Sequence, residues 1–297
     1  MFFQPFDLPF IIAAMAWIEP VTASVEAAKL VKDVASSSEF IRKHWKRIIH
    51  RITKDALQVP IFGAGGVGKT TAATMIASDN PLDIAAPYNE SITVETVKLK
   101  GNVPGNLLVA PGQEARVDRY WPALFRGVNA GKSHGVVNVV CYGYHSMGIE
   151  TIREHDLWFE GMSNSDFLNV YLEKRRSIEI EMIKRLVKGL ASAKPPLWMV
   201  TIINKQDLWW TQRNAVQDYY KNGEYGTAIS ELQGMLGNIG FQHEFLPVSL
   251  TIGNLASLSG EVIAQNNSGY DNVKHLTYLG HLFRRFYDLS SKNGGDK

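Results

Sequence analysis

The chain has 297 residues, 45% hydrophobic and 20% charged, which is the composition of a folded α/β protein and excludes a largely disordered chain. The formal net charge is +2, from 31 basic and 29 acidic residues, so we expect no nucleic acid partner. A single cysteine, Cys141, excludes an internal disulfide framework and indicates a reducing compartment such as the cytoplasm.

Residues 1–55 predict an N-terminal helical extension. The apolar run at residues 8–18 is shorter than the about 18 residues of a membrane span, and no basic side chain precedes it as in a secretory signal. Residues 39–55 place apolar and basic side chains at spacings of three and four, typical of a basic amphipathic helix. Such a helix packs on its own domain, enters a partner's groove or makes a peripheral membrane contact, and the sequence leaves all three open.

From residue 56 to 297, short apolar runs alternate with longer helical patterns. Strands are predicted at residues 56–64, 91–101, 106–112, 134–145, 196–205 and 241–250, and helices at 69–78, 166–193 and 271–289. This alternation predicts an α/β fold with a doubly wound, mostly parallel sheet and a ligand at the carboxyl ends of the strands. The long connection at residues 144–165 predicts an insertion or an effector-contacting loop; its histidines and carboxylates match no standard metal-ligand spacing.

Residues 63–71, "GAGGVGKTT", follow a predicted strand, open a predicted helix and fit the pattern G-x-x-x-x-G-K-[ST]. Glycines let the backbone wrap closely around phosphate oxygens, and the helix N-terminus adds a positive dipole. Lys69 is placed to reach β- and γ-phosphates, and Thr70 to ligate Mg²⁺. The predicted nucleotide-binding residues of this loop are Gly63, Gly65, Gly66, Val67, Gly68, Lys69, Thr70 and Thr71.

The tetrapeptide "NKQD" at residues 204–207 follows a later apolar strand and bears on the choice of base. The carboxylate of Asp207 can accept hydrogen bonds from N1–H and the exocyclic amine of guanine, a donor pair that adenine lacks. Lys205 is predicted to pack its stem along the base, and Asn204 to tie this loop to the phosphate loop. The pair of motifs therefore predicts GTP or GDP as the ligand.

With these two motifs the chain resembles the Ras-like small GTPase superfamily over roughly residues 57–289. "PGQE" at residues 111–114 resembles the end of that family's D-x-x-G-Q-E switch box, and the residues after it resemble the switch II helix of Arf- and Rab-like members. "PVSL" at residues 247–250 resembles the fifth box. The resemblance implies a P-loop GTPase fold and a GTP-binding switch that uses Mg²⁺, hydrolyses GTP slowly and signals to an effector or activating protein.

The resemblance also implies residue roles. Gly112 lies where a backbone N–H meets the γ-phosphate, and Gln113 lies where a glutamine orients the attacking water. Gln113 and Lys69 are thus the predicted catalytic residues, and Ser249 and Leu250 are predicted to contact the base edge.

The predicted Mg²⁺ site departs from the family pattern. Thr93, directly before the second strand, is the predicted switch ligand beside Thr70, with Thr96 as the alternative inside the strand. Val109 occupies the position of the family's Mg²⁺-linked aspartate, and a valine cannot contact the metal. Either another carboxylate replaces it, or Mg²⁺ is held by threonines and phosphate oxygens alone. A non-hydrolysing GTP-binding scaffold and, less favoured because of "NKQD", a P-loop ATPase are the alternative functions.

Overall fold

The computed structural model describes residues 58–78, 93–98, 106–266 and 269–292. The predicted N-terminal extension and the turn between the second and third predicted strands lie outside the described residues. Among the described residues, no helix has both the length and the apolar character that a bilayer crossing requires.

One six-stranded sheet forms the centre of the molecule, in the order β2-β3-β1-β4-β5-β6. Its strands are β1 (Gln58–Phe62), β2 (Glu95–Lys98), β3 (Asn106–Val109), β4 (Gly135–Val140), β5 (Leu197–Ile203) and β6 (Phe241–Pro247). All neighbouring pairs are parallel except β2 with β3, which are antiparallel. β4 and β5 are buried along their whole length, as central parallel strands covered on both faces require. The predicted fold class, an α/β fold with a doubly wound, mostly parallel sheet, is confirmed.

Helices flank the sheet, and the three predicted at residues 69–78, 166–193 and 271–289 are present, with ends that differ from the prediction by up to three residues. They are α1 (Lys69–Ala77), α2 (Glu114–Asn129), α3 (Asn164–Leu190), α4 (Gln206–Trp209), α5 (Arg213–Asn222), α6 (Glu224–Leu236) and α7 (Asn272–Lys292). A short hairpin, β7 (Leu255–Ala256) with β8 (Val262–Ala264), precedes α7. Ser163 caps α3 by accepting a hydrogen bond from the Asp166 N–H at 3.1 Å, so α3 starts slightly earlier than predicted.

Aromatic packing fixes α2 on the sheet. The Phe62 ring of β1 lies 4.8 Å from Trp121 and 5.4 Å from Phe125, measured between ring centroids. The Trp121 indole N–H also donates to the Pro111 carbonyl at 3.0 Å, and both groups are buried. A buried aromatic pair adds about 1 kcal/mol beyond its area. This anchor holds the segment at residues 111–114 at the carboxyl end of β1.

Candidate functional site

The loop between β1 and α1 has a backbone that only glycine adopts readily. Gly63, Gly66 and Gly68 have φ angles of 135°, 77° and 99°. A Cβ at Gly66 would lie 2.6 Å from the Ser146 carbonyl oxygen, and one at Gly68 would collide with the Asn204 amide. The three positions therefore exclude side chains both by their dihedral angles and by their neighbours.

Backbone donors of this loop are available to an anion. Gly65 N–H donates to the Gly112 carbonyl at 2.9 Å, whereas the N–H groups of Gly66, Val67 and Gly68 meet no acceptor in the described part of the chain. They lie at the N-terminus of α1, where the helix dipole favours negative charge. Partly buried donors without acceptors are costly, so the loop fits a phosphate group that would accept from them.

The Lys69 ammonium is buried at the base of the loop. Its side chain is 6% exposed, and Nζ donates to the Ala64 carbonyl at 2.6 Å. Among the described residues, no carboxylate lies within ion-pair distance of it. Burial lowers the pKa of Lys69 to about 8, and the charge of the Glu95 carboxylate acts in the opposite direction. An anion in the loop would compensate this buried charge.

The segment at residues 111–114 lies directly on the phosphate loop. A Cβ at Gly112 would collide with Ala64 and with the Lys69 ammonium, so only glycine fits. Gln113 is the N-cap of α2, with its side chain partly exposed. Both residues line a cavity of about 500 Å³ beside Gly65. The structure thus brings Gly112 and Gln113 together with the predicted phosphate end of the site.

Asn204 joins the two halves of the predicted site. Its amide Nδ2 donates to the Val67 carbonyl at 2.8 Å, which is the link to the phosphate loop that the sequence predicts. Its Oδ1 accepts from the N–H groups of Lys205 at 2.7 Å and Leu250 at 3.0 Å. One buried side chain therefore connects the phosphate loop with residues 204–207 and 247–250.

The Asp207 carboxylate is held in place by two donors. Oδ1 accepts from the Ser249 hydroxyl at 2.6 Å, and Oδ2 accepts from the Gly253 N–H at 2.9 Å. Burial raises the pKa of Asp207, while these hydrogen bonds act in the opposite direction. Asp207 is only 1% exposed, whereas Gly253 lies on the surface, so the turn around Gly253 covers the carboxylate. A base could reach Asp207 once this turn moves aside.

Ser146, which sequence reasoning missed, contacts both halves of the site. Its N–H donates to the Gly66 carbonyl at 2.9 Å, and its hydroxyl accepts from Lys205 Nζ at 2.9 Å. Lys205 has a φ of 59°, a left-handed conformation that directs it toward Ser146. Ser146 belongs to the connection at residues 144–165, whose length was the only signal in the sequence.

A buried glutamate on α3 fixes the loop that carries Ser146. Glu179 Oε1 accepts from the Cys141 N–H at 2.9 Å and from His145 Nε2 at 3.0 Å, and Oε2 accepts from the Tyr220 hydroxyl at 2.6 Å. Burial alone would raise the pKa of Glu179, but the hydrogen bonds from His145 and Tyr220 lower it below its ordinary value. Ligating atoms of Cys141, His145 and Glu179 lie within 4.8 Å of one another, and these hydrogen bonds account for the grouping without a metal. A glutamate on the apolar face of the predicted helix was the sequence signal for this network.

The predicted metal ligands lie on different elements of the fold. Thr70 is in the first turn of α1, and Thr93 is exposed in a bend just before β2. Thr96 is exposed within β2, where it pairs with Leu108 of β3. Val109 is fully buried at the end of β3, and its antiparallel partner in β2 is Glu95.

Comparisons with known proteins identify only distant structural similarity. No model of a protein family matches the chain, and no curated protein matches it. The small COPII coat GTPase SAR1 of Encephalitozoon cuniculi, solved with GDP, is 18% identical with a TM-score of 0.37, over 90% of this chain and 96% of that one. Toc33 of Arabidopsis thaliana is 10% identical with a TM-score of 0.41, over 90% and 94%. The mammalian SRP receptor is 17% identical with a TM-score of 0.38, over 65% and 91%. Similarity this low transfers no function, so the functional assignment depends on the residues of this chain.

Proposed function

We propose that this chain is a guanine-nucleotide-binding switch that binds GTP with Mg²⁺ and hydrolyses it slowly to GDP. The observation that carries the proposal is the hydrogen bond from the Asn204 amide to the Val67 carbonyl. It joins a loop that fits phosphates to a loop whose aspartate fits guanine. A glycine-rich turn that binds no nucleotide would not require a hydrogen bond to a second loop of this kind.

At the phosphate end, the N–H groups of Gly66, Val67 and Gly68 donate to phosphate oxygens, and Lys69 supplies the charge. Phosphate binding raises the pKa of Lys69 back from about 8, because an opposite charge favours the ammonium form. The buried ammonium therefore contributes to affinity for an anion rather than to the stability of the free protein.

At the base end, the Asp207 carboxylate selects guanine. Ser249 holds Oδ1, and the turn around Gly253 donates to Oδ2 in the nucleotide-free protein; when that turn moves aside, N1–H and the exocyclic amine of the base take the acceptor positions that it uncovers. Lys205 Nζ donates to the Ser146 hydroxyl, and the Leu250 N–H donates to Asn204 Oδ1. These hydrogen bonds hold Lys205 and Leu250 beside the proposed base position. ATP would leave the remaining acceptor positions of a buried carboxylate unpaired, which disfavours adenine.

For hydrolysis, the Gly112 N–H faces the γ-phosphate, and Gln113 orients the attacking water in the adjoining cavity. The contact between Trp121 and Pro111 keeps this segment in register with the phosphate loop. Mg²⁺, when bound, neutralises charge on the β- and γ-phosphates, and Thr70 and Thr93 are its proposed ligands. We expect turnover of about 10⁻⁴ to 10⁻³ s⁻¹, as for GTPases that await a partner's arginine.

Val109 favours a second candidate function, a GTP-binding scaffold that does not hydrolyse. In both functions the proposed output is nucleotide-dependent contact with a protein effector or activating protein. Residues 1–55 are proposed to pack on the domain or to bind a partner or a membrane surface peripherally in the cytoplasm.

The test is a change of base specificity. Asp207→Asn replaces a carboxylate oxygen, which accepts from the exocyclic amine of guanine, with an amide nitrogen that donates to the 2-oxo group of xanthine. GTP affinity should therefore fall about 10- to 100-fold, while the affinity for xanthosine triphosphate should rise. The matched control is Asp218→Asn on the exposed face of α5, which should change neither affinity. Binding is measured by competition against a fluorescent guanine nucleotide. Equal GTP affinity of Asp207→Asn and wild type would refute the proposed base site.

A further inference from the structure

A carboxylate lies directly beside the position that Val109 leaves without one. Val109 pairs with Ile61 of β1 on one side and with Glu95 of β2 on the other. Residues opposite each other in an antiparallel pair have Cβ atoms about 5 Å apart and share a face of the sheet. The side chain that β3 lacks is thus supplied by the neighbouring strand, on the same face.

Glu95 also lies at the correct end of the sheet. Because β2 runs antiparallel to β3, its first residue sits beside the last residue of β3. The phosphate loop begins at this same edge, directly after β1. Thr96, the next residue of β2, points to the opposite face because side chains alternate along a strand. Of the two, only Glu95 therefore shares the face of Val109.

The carboxylate of Glu95 is not engaged elsewhere. It forms no ion pair and accepts no hydrogen bond from any residue that the structure describes. Glu95 is partly exposed, so its oxygens are available to a ligand.

We propose that Glu95 supplies the carboxylate of the Mg²⁺ site, in place of the aspartate absent at Val109 and together with Thr70. Mg²⁺ takes oxygen ligands, commonly one or two carboxylates with several retained waters and phosphate oxygens, and this donor set fits that chemistry. The inference rests on the proposed nucleotide site and answers how that site holds its metal without the family's aspartate.

The test measures metal binding rather than turnover. Mn²⁺ is titrated into the complex with fluorescent GDP, and free Mn²⁺ is followed by electron paramagnetic resonance. Glu95→Gln should weaken Mn²⁺ binding about 10- to 100-fold. The affinity of the same variant for fluorescent GDP in EDTA should equal that of wild type. The matched control, Glu231→Gln, removes an exposed carboxylate on α6, outside the site, and should leave Mn²⁺ binding within about twofold.

A second variant tests the geometry. Val109→Asp in the Glu95→Gln background moves the carboxylate back to β3 and should restore most of the lost Mn²⁺ affinity. Unchanged Mn²⁺ affinity in Glu95→Gln would overturn the inference, whether or not the double variant folds. A wild-type GDP complex that does not bind Mn²⁺ would also overturn it. Failure of wild type to bind fluorescent GDP at all would instead contradict the proposed function.

Discussion

The buried Lys69 ammonium should destabilise the nucleotide-free protein, and its removal should reveal by how much. In the unfolded chain the amine keeps its ordinary pKa of 10.5, whereas burial lowers it to about 8 in the folded state. That difference corresponds to roughly 3 kcal/mol of unfolding free energy. The hydrogen bond from Nζ to Ala64 is already part of the folded state and does not remove this penalty.

The sign of the effect sets a pH window. Below pH 8 both states are protonated, so the folded state bears the full penalty. Between pH 8 and 10.5 the folded amine loses its proton first, and the penalty fades. Lys69→Met keeps the length of the stem and removes the charge. The nucleotide-free variant should therefore be more stable than wild type by up to about 3 kcal/mol at pH 7, with a difference that shrinks toward pH 10.5.

Urea unfolding of both nucleotide-free proteins at pH 7, 8.5 and 10 measures this difference. Lys184→Met is the control, because the Lys184 side chain is 58% exposed and should change stability by less than about 0.5 kcal/mol. Lys69→Met should also lose GTP binding. A variant that is less stable than wild type at pH 7, or a difference independent of pH, would refute the reasoning.

Three further outcomes follow from the site. GTP affinity should fall by up to about tenfold per pH unit above pH 8, as free Lys69 loses its proton; fluorescent-nucleotide titrations at pH 7 and 9.5 test this, and a flat profile would contradict it. Gln113→Leu should slow single-turnover GTP hydrolysis about 100-fold at unchanged GTP affinity; equal rates would exclude Gln113 from catalysis. Glu179→Gln should destabilise the fold by about 3 kcal/mol in urea unfolding, and a neutral effect would show that the buried network is dispensable.

Much of the fold could be predicted from local sequence. β4 and β5 are continuous apolar runs, and such runs predict buried parallel strands without any knowledge of their neighbours. Helices α5 and α6 were not predicted. Gly223 lies between them, and both are held by tertiary burial of side chains such as Tyr220 and Tyr225.

The candidate site also has parts that local sequence patterns predict and parts that depend on contacts between distant segments. The two loops carry their own residue patterns, so the sequence predicts both, and it predicts the link through Asn204. The contacts of Ser146 and the cover of Gly253 over Asp207 depend on loops from distant parts of the chain meeting in space. The pairing of Glu95 with Val109 depends on strand register, which one-residue shifts would change and which no local pattern in β2 specifies.

Selection of guanine over adenine is the central claim, and one incubation tests it directly. The purified protein is mixed with equimolar GTP and ATP plus Mg²⁺, and all nucleotides are followed by anion-exchange chromatography. We predict that GDP accumulates while ATP persists, and that GDP no longer forms with Lys69→Ala. Consumption of ATP while GTP persists would contradict the assignment of Asp207 as the guanine-selective residue, and with it the proposed function.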